Sequence, residues 1–107
     1  MTRRVVFVSE AEEQLTHIDR WWQKNRGAAP DLFLDELDRA IDLLSDLPDI
    51  GTRFTRTKRV GIRRLLLRRS KHWVYYFHDR KRSIVYILAL WSTFRGSDPQ
   101  LPRPVLR

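Results

Sequence analysis

The chain has 107 residues, which is enough for one domain with a single hydrophobic core. It is 42% hydrophobic and 11% aromatic, which argues against intrinsic disorder, and it has no cysteine, which excludes disulfides and thiolate metal sites. The net charge of +8 is segregated, because residues 52–107 contain 15 of the 21 Lys and Arg residues and only two carboxylates, Asp79 and Asp98. This distribution indicates that one surface binds an acidic or polyanionic partner.

Membrane and metal sites are not indicated by the sequence. No apolar run approaches the roughly 20 residues needed to cross a bilayer, and residues 5–8 are too few for the apolar core of a signal peptide. The three histidines, His17, His72 and His78, do not have metal-ligand spacing with carboxylates. We therefore expect a soluble cytoplasmic protein that binds no membrane, metal or cofactor.

The first half of the chain predicts one strand and two helices. Residues 4–9 (RVVFVS) are β-branched and aromatic and predict a strand. A helix is predicted from Ser9, because apolar residues recur at helical spacing as far as Trp22, and Trp21 widens this apolar stripe. Gly27 is predicted to end the helix. A second helix begins near Pro30 and ends before Pro48 and Gly51. Its predicted buried stripe consists of Phe33, Leu37, Ala40, Ile41 and Leu44.

After a polar loop at residues 49–59, the second half predicts three strands, at about residues 61–68, 72–78 and 83–91. The links between them are short, so successive strands pair as antiparallel hairpins. The order is β-α-α-β-β-β, which predicts an α+β fold with a helical hairpin packed on one face of a small, mainly antiparallel sheet. We expect a single domain over residues 1–107, with an irregular tail from about residue 96.

Side chains alternate between the two faces along a strand. This predicts that Trp73, Tyr75 and Phe77 share a face opposite His72, Val74, Tyr76 and His78. In the last strand, the same rule places Val85, Ile87, Ala89 and Trp91 opposite Ile84, Tyr86, Leu88 and Leu90. Because the helices cover only one face, the other is expected to be partly open and to carry arginine among aromatic and aliphatic groups. Such a surface suits RNA, a phosphate backbone or an acidic peptide.

Each of these residues also has a purely structural interpretation. Strand arginines often lie over the edge of a core, and the tryptophans Trp21, Trp22 and Trp73 are typical core or core-edge residues. The histidines are more often solvated than catalytic, and His72, beside a basic turn, is the best catalytic candidate among them.

Three sequence segments resemble the RelE/ParE superfamily of toxins from bacterial type II toxin–antitoxin pairs. They are LLSDLPDIG, GIRRLLLRRSKHWVYYFHD and VYILALWSTFRG, the last followed by DPQL. The resemblance covers nearly the whole chain and is closer to ParE-like members. It implies the RelE/ParE toxin fold and a growth-inhibiting toxin, of the kind that stabilises plasmids, held in an oligomeric complex by a cognate antitoxin.

The resemblance also implies two possible targets, because ParE-like members poison DNA gyrase and RelE-like members cleave mRNA in the ribosome. A gyrase inhibitor requires no active site. A ribosome-dependent endoribonuclease requires a catalytic set, for which Arg64, His72 and Arg95 are the candidates, although the usual C-terminal tyrosine or histidine is missing here. A non-catalytic nucleic-acid-binding module is a further alternative. The residues predicted to bind the target or the antitoxin are Arg64, Arg68, His72, Tyr76, Trp91 and Arg95.

Overall fold

The structure, a computed structural model, describes residues 2–103 of the chain. Seven elements follow one another in the described chain. In order, they are β1 (Arg4–Phe7), α1 (Ser9–Asn25), α2 (Leu32–Asp46), β2 (Thr52–Arg53), β3 (Ile62–Leu67), β4 (His72–Asp79) and β5 (Ile84–Ser92). The predicted α+β fold is therefore confirmed, with one additional short strand, β2, inside the region expected to be a polar loop.

The strands form one five-stranded sheet in the order β1-β5-β4-β3-β2. The pairs β3–β4 and β4–β5 are antiparallel, as the short links predict, and the unpredicted β2 also pairs with β3 in antiparallel fashion. The exception is β1, which pairs with β5 in parallel, from Arg4 opposite Ile84 to Phe7 opposite Ile87. Parallel neighbours cannot be joined by a tight turn and need a long connection. The helical hairpin α1–α2 is the first part of the connection between β1 and β5.

Both helices pack on the same face of the sheet, which we call the helix face. The stripe of α2 buries Phe33, Leu37, Ala40 and Leu44, and only Ile41 of the predicted stripe remains partly exposed. The sheet residues in this core are Leu67, Val74, Tyr76, Val85, Ile87 and Leu90. None of the helices described is long and apolar enough to span a membrane.

The predicted alternation of faces holds for β4 but fails in β5. The register between the two strands shifts between Tyr75, opposite Ala89, and Tyr76, opposite Ile87, which leaves Leu88 as an extra residue. Such a bulge reverses the facing of every residue beyond it. Leu90 consequently lies on the helix face, and Trp91 lies on the opposite face, the reverse of the predicted grouping for both residues.

The face opposite the helices, which we call the tail face, is more covered than the sequence suggests. Phe54, which follows β2, is buried against Tyr75 with ring centroids 5.0 Å apart. Leu101, from the segment after β5, packs on the same cluster. The side chain of Arg59 holds this segment by donating to the carbonyl oxygens of Leu101, at 3.0 Å, and Pro102. Within residues 2–103, the tail face, expected to be partly open, is accessible only in separate cavities.

Candidate functional site

Three of the predicted site residues, Arg64, Trp91 and Arg95, meet in a cavity of about 250 Å³ on the tail face. We call it the Arg64 cavity. Its walls come from β3, β4, the end of β5 and the segment that follows. The side chains that define it are Arg56, Arg64, Trp73, Tyr75, Trp91, Arg95 and Asp98.

Arg64 is held in a fixed position by aromatic side chains of the neighbouring strand. Its guanidinium carbon lies 3.8 Å from the centre of the Trp73 ring, and Nη1 donates a hydrogen bond to the Tyr75 hydroxyl at 3.1 Å. Strand alternation places all three side chains on the tail face, with Arg64 directly opposite Tyr75 in the β3–β4 register. The charge is therefore presented on an ordered platform, because stacking and hydrogen bonding restrict the arginine.

Arg95 forms a second arginine–tryptophan pair at the other side of the cavity. Its guanidinium carbon lies 4.1 Å from the centre of the Trp91 ring, and the indole Nε1 donates to the carbonyl oxygen of Ser97 at 2.7 Å. The bulge in β5 makes this pair possible, because regular alternation would have placed Trp91 on the helix face. The structure thus brings Arg64, Trp91 and Arg95 to one site.

The one carboxylate among the described residues that line the cavity, Asp98, is bound by an arginine. Asp98 accepts two hydrogen bonds from Arg56, at 2.8 and 3.0 Å, in a bidentate pair. The hydrogen bonds from Arg56 lower the pKa of the Asp98 carboxyl, so it is ionised near neutral pH. Three guanidinium groups against one carboxylate give the cavity a net positive charge.

His72 lies on the opposite side of the sheet from Arg64, as the alternation of β4 predicts. Its ring packs against Phe33 of α2, with centroids 5.3 Å apart, and Nδ1 lies 2.8 Å from the carbonyl oxygen of Ser70. Burial lowers the pKa of His72, and the nearby charge of Arg95 acts in the same direction. The sheet therefore separates His72 from Arg64, and the three predicted catalytic residues do not converge.

A second cavity, of about 570 Å³, lies on the His72 side, between α1 and the turn that joins β3 to β4. Because Trp21, Trp22 and Phe94 line it, we call it the aromatic groove. Arg95 borders this groove as well as the Arg64 cavity. The side chains that define it are Trp21, Trp22, Arg26, His72, Phe94 and Arg95.

The remaining two predicted binding residues have different surroundings. Arg68 is exposed in the turn after β3. Tyr76 is 0% exposed within the helix-face core, and its hydroxyl accepts a hydrogen bond of 2.8 Å from the backbone N–H of Gly51. Tyr76, predicted to contact a partner, is therefore a core residue whose side chain is not accessible at the surface of the structure.

Sequence reasoning missed several residues of these two sites. Trp21 was interpreted as a core or core-edge residue, and it is 48% exposed because its position lies at the edge of the helical stripe. Phe94 is 85% exposed, and Arg56 reaches the Arg64 cavity from the loop after β2. The only sequence signal for an exposed aromatic side chain was the adjacent pair Trp21 and Trp22, because one of two adjacent helix residues must lie off the centre of the buried face.

Comparison with known proteins gives one family match and several similar folds. The family model for the ParE toxin of the type II toxin–antitoxin system, parDE, matches residues 5–95. A search of curated proteins finds no significant match. The family match confirms the predicted membership of the RelE/ParE superfamily.

Solved structures of low sequence identity share the fold. The RelBE2 toxin–antitoxin complex from Mycobacterium tuberculosis is 20% identical, with a TM-score of 0.63 over 86% of this chain and 99% of that chain. The chromosomal ParDE system from P. aeruginosa is 13% identical, with a TM-score of 0.64 over 85% and 96%. The intact RelBE complex from E. coli is 15% identical, with a TM-score of 0.60 over 87% and 99%. Since the family match extends over most of its length, this chain belongs to the ParE toxin family of type II toxin–antitoxin systems, within the RelE/ParE superfamily.

Proposed function

We propose that this toxin inhibits growth by poisoning DNA gyrase, that the Arg64 cavity is its target-binding surface, and that a cognate antitoxin neutralises it. We choose gyrase as the target because the sheet separates His72 from Arg64. That separation favours a binding surface over a catalytic centre.

An endoribonuclease that uses the ribose 2′-OH needs a proton acceptor and a proton donor beside the cations that hold the phosphate. Among the described residues of the Arg64 cavity, the candidates are the Tyr75 hydroxyl and the Asp98 carboxylate. Tyr75 is buried and bonded to Arg64, and Asp98 is bonded twice to Arg56. Both groups are therefore committed to holding arginines, which leaves the proton-transfer roles unfilled.

The same side chains suit binding to a protein. Tryptophan and arginine are the residues most enriched at the energetic centres of interfaces, and here two arginine–tryptophan stacks border a single cavity. Because stacking already restricts Arg64 and Arg95, less side-chain entropy is lost on binding.

A cognate antitoxin is the second partner that we propose. The family is defined by toxin–antitoxin systems, and the RelBE2 and RelBE structures of similar fold are toxin–antitoxin complexes. A net charge of +8 on this chain suits an acidic antitoxin segment that folds on binding. The resulting toxin–antitoxin complex is oligomeric.

The test combines two activity assays on the same purified toxin. The toxin is added to a gyrase supercoiling and cleavage reaction and, separately, to a translating extract with primer extension on the mRNA. We expect trapped DNA breaks, lost in Arg64→Ala and Arg95→Ala but retained in His72→Ala. The matched control is Arg20→Ala, which removes an exposed arginine from α1 and should leave the breaks unchanged.

Two other results would each contradict the gyrase proposal and support a different function. Codon-phased mRNA cuts that disappear in His72→Ala would identify an endoribonuclease of the RelE type, which would have to rearrange His72 towards the substrate. If neither reaction occurs but the protein retards nucleic acid at low salt, it is a nucleic-acid-binding module. A steep loss of that binding with added salt would show that phosphate contacts dominate.

A further inference from the structure

The aromatic groove exposes large apolar side chains that nothing within residues 2–103 covers. Trp21 is 48% exposed and Phe94 is 85% exposed, although both are among the most hydrophobic residue types. The two side chains come from different elements, α1 and the turn after β5, and line the same groove. Exposed aromatic groups gathered in a concave site mark an interaction surface.

The charge of the groove is positive. Arg26 stacks over both indole rings, 5.5 Å from the centroid of Trp21 and 5.8 Å from that of Trp22. The other basic residues along the groove are Arg69, Lys71 and Arg95, and its described lining contains no carboxylate.

The carboxylate of Glu36, which contacts the turn at the edge of the groove, is already hydrogen-bonded. Glu36 lies behind the turn and accepts hydrogen bonds from the backbone N–H groups of Arg69 and Ser70, at 2.8 and 2.9 Å. It thus fixes the turn that carries the rim and does not neutralise Arg26, Lys71 or Arg95 by direct contact in the described structure.

Trp22 supplies an independent observation. Its side chain is 7% exposed, and Nε1 is the one buried side-chain nitrogen or oxygen without a hydrogen-bond partner among the described residues. A buried donor that lacks an acceptor costs roughly 1–3 kcal/mol in general. Because Trp22 lines the groove, a bound segment is the candidate source of the missing acceptor.

We infer that the aromatic groove is the docking site for an acidic segment of the antitoxin that carries an aromatic or aliphatic anchor. This inference rests on the antitoxin partner proposed above. The anchor packs between the exposed faces of Trp21 and Phe94, and the carboxylates of the segment pair with Arg26, Lys71 and Arg95. A carbonyl or carboxylate oxygen of the segment accepts from Trp22 Nε1.

A peptide fits the groove better than a nucleic acid. The floor of the groove includes Ile18 and the buried Trp22. The rings of Trp21 and Trp22 meet edge to face, at an interplanar angle of 76°, and do not form a stack of parallel rings. A side-chain anchor fills such an apolar recess, whereas successive bases need open aromatic faces along a backbone track.

Arg95 gives this docking site a means of neutralising the toxin. It borders the aromatic groove as well as the Arg64 cavity, where it stacks on Trp91. A carboxylate bound in the groove competes for the guanidinium of Arg95 and withdraws it from the target-binding surface. The antitoxin therefore does not need to cover Arg64 to lower the affinity for the target.

The experiment measures antitoxin affinity by isothermal titration, with the full-length toxin refolded after separation from the co-expressed antitoxin. We expect Trp21→Ala/Phe94→Ala to weaken the affinity by about 100-fold, because two exposed anchors are removed. Phe94→Glu, at the more exposed position, is expected to weaken it comparably without disturbing the core. The matched controls are Leu47→Ala and Val60→Ala, which remove exposed apolar side chains elsewhere.

Three outcomes would overturn the inference. They are unchanged antitoxin affinity in both groove variants, equal losses of affinity in the control variants, and groove variants that lose binding to a fluorescent oligothymidylate while their antitoxin affinity stays intact.

The gyrase reaction is run on the same antitoxin-free variants. Because Trp21 and Phe94 lie outside the Arg64 cavity and alanine adds no carboxylate beside Arg95, DNA breaks should persist in Trp21→Ala/Phe94→Ala. Absence of breaks with the unaltered toxin would refute the proposed target and leave the docking result interpretable.

Discussion

The guanidinium of Arg64 stacks on the indole of Trp73 at 3.8 Å, and this pair depends on two neighbouring strands being in the correct register. The contact converts a mobile surface arginine into an oriented cation. It also links the stability of the β3–β4 hairpin to the proposed binding surface, since a shift of one residue would move Arg64 to the helix face.

Replacement of Arg64 by lysine tests whether orientation matters beyond charge. Lysine keeps the positive charge but lacks the planar group that stacks on Trp73 and bonds to Tyr75. We expect Arg64→Lys to reduce gyrase-dependent DNA breakage about tenfold or more, while the free energy of unfolding changes by about 1 kcal/mol or less. The measurements are the gyrase cleavage reaction and urea unfolding. Full activity of the lysine variant would mean that charge alone is sufficient.

Removal of the Tyr76 hydroxyl tests its assignment to the core. The hydroxyl accepts the buried backbone N–H of Gly51 at 2.8 Å, and Tyr76→Phe leaves that donor without a partner. We expect the free energy of unfolding to fall by about 1–3 kcal/mol, while the folded fraction retains its activity. The matched control is Tyr86→Phe, because the Tyr86 hydroxyl has no hydrogen bond within residues 2–103, so its removal should have little effect. A selective loss of activity in Tyr76→Phe at unchanged stability would restore Tyr76 as a functional residue.

The carboxylate of Glu36 makes the stability of the β3–β4 turn depend on pH. Partial burial alone would raise the pKa of Glu36, but hydrogen bonds from Arg69 and Ser70 outweigh it and lower the pKa below its ordinary value of 4.5. A lowered folded-state pKa stabilises the fold at pH values above 4.5, and this contribution is lost as the pH falls through the lowered value.

Glu36→Gln is therefore expected to lower the free energy of unfolding at pH 7 by about 1 kcal/mol, because bonds to a charged acceptor are replaced by weaker ones. The difference from the unaltered protein should shrink at acidic pH, once the native carboxylate is protonated. Urea unfolding from pH 7 down to pH 3 measures both quantities. Asp38→Asn, at an exposed carboxylate on the same helix, serves as the control and should leave the free energy of unfolding at pH 7 nearly unchanged. A constant difference across that range would contradict the assigned role of the Glu36 carboxylate.

The segment after β5 is attached to the tail face at several points, of which the Arg56–Asp98 pair is the most exposed. Asp98→Asn removes the charge that makes this pair bidentate and strong. We expect faster amide hydrogen exchange in residues 97–102, with the exchange of β4 and β5 unchanged, because Pro99 and Leu101 still pack on the sheet. Addition of about 1 M salt to the unaltered protein should produce a similar, smaller effect by screening the pair. Unchanged exchange in Asp98→Asn would show that apolar packing alone holds the segment.

Much of the fold was predictable because its signals are local. The helices follow from the spacing of apolar residues, and the β3, β4 and β5 boundaries agree with the predicted runs to within about one residue. The strand β2 was missed because a two-residue pairing of Thr52 and Arg53 leaves no periodic pattern. The parallel pairing of β1 with β5 joins residues from opposite ends of the chain, which no local pattern can reveal.

The candidate site was predicted only in part. The alternation of β4 correctly grouped Trp73 with Tyr75, whereas the register that sets Arg64 opposite Tyr75 is a property of the folded sheet. Trp91 was placed on the wrong face, because one bulge residue, Leu88, reverses the alternation and depends on packing against the neighbouring strand. Tyr76 was expected on an accessible surface, yet the helical hairpin covers it completely.

By itself, the sequence determined the two helices, the antiparallel hairpins and the concentration of positive charge in the second half of the chain. These properties depend on spacing between near neighbours and on composition. The tertiary structure decided that Arg64 meets Arg95, that His72 is turned away from both Arg64 and its cavity, and that the tail covers much of the second face. Those outcomes depend on contacts such as Arg56 with Asp98, 42 residues apart, whose geometry exists only after the chain has folded.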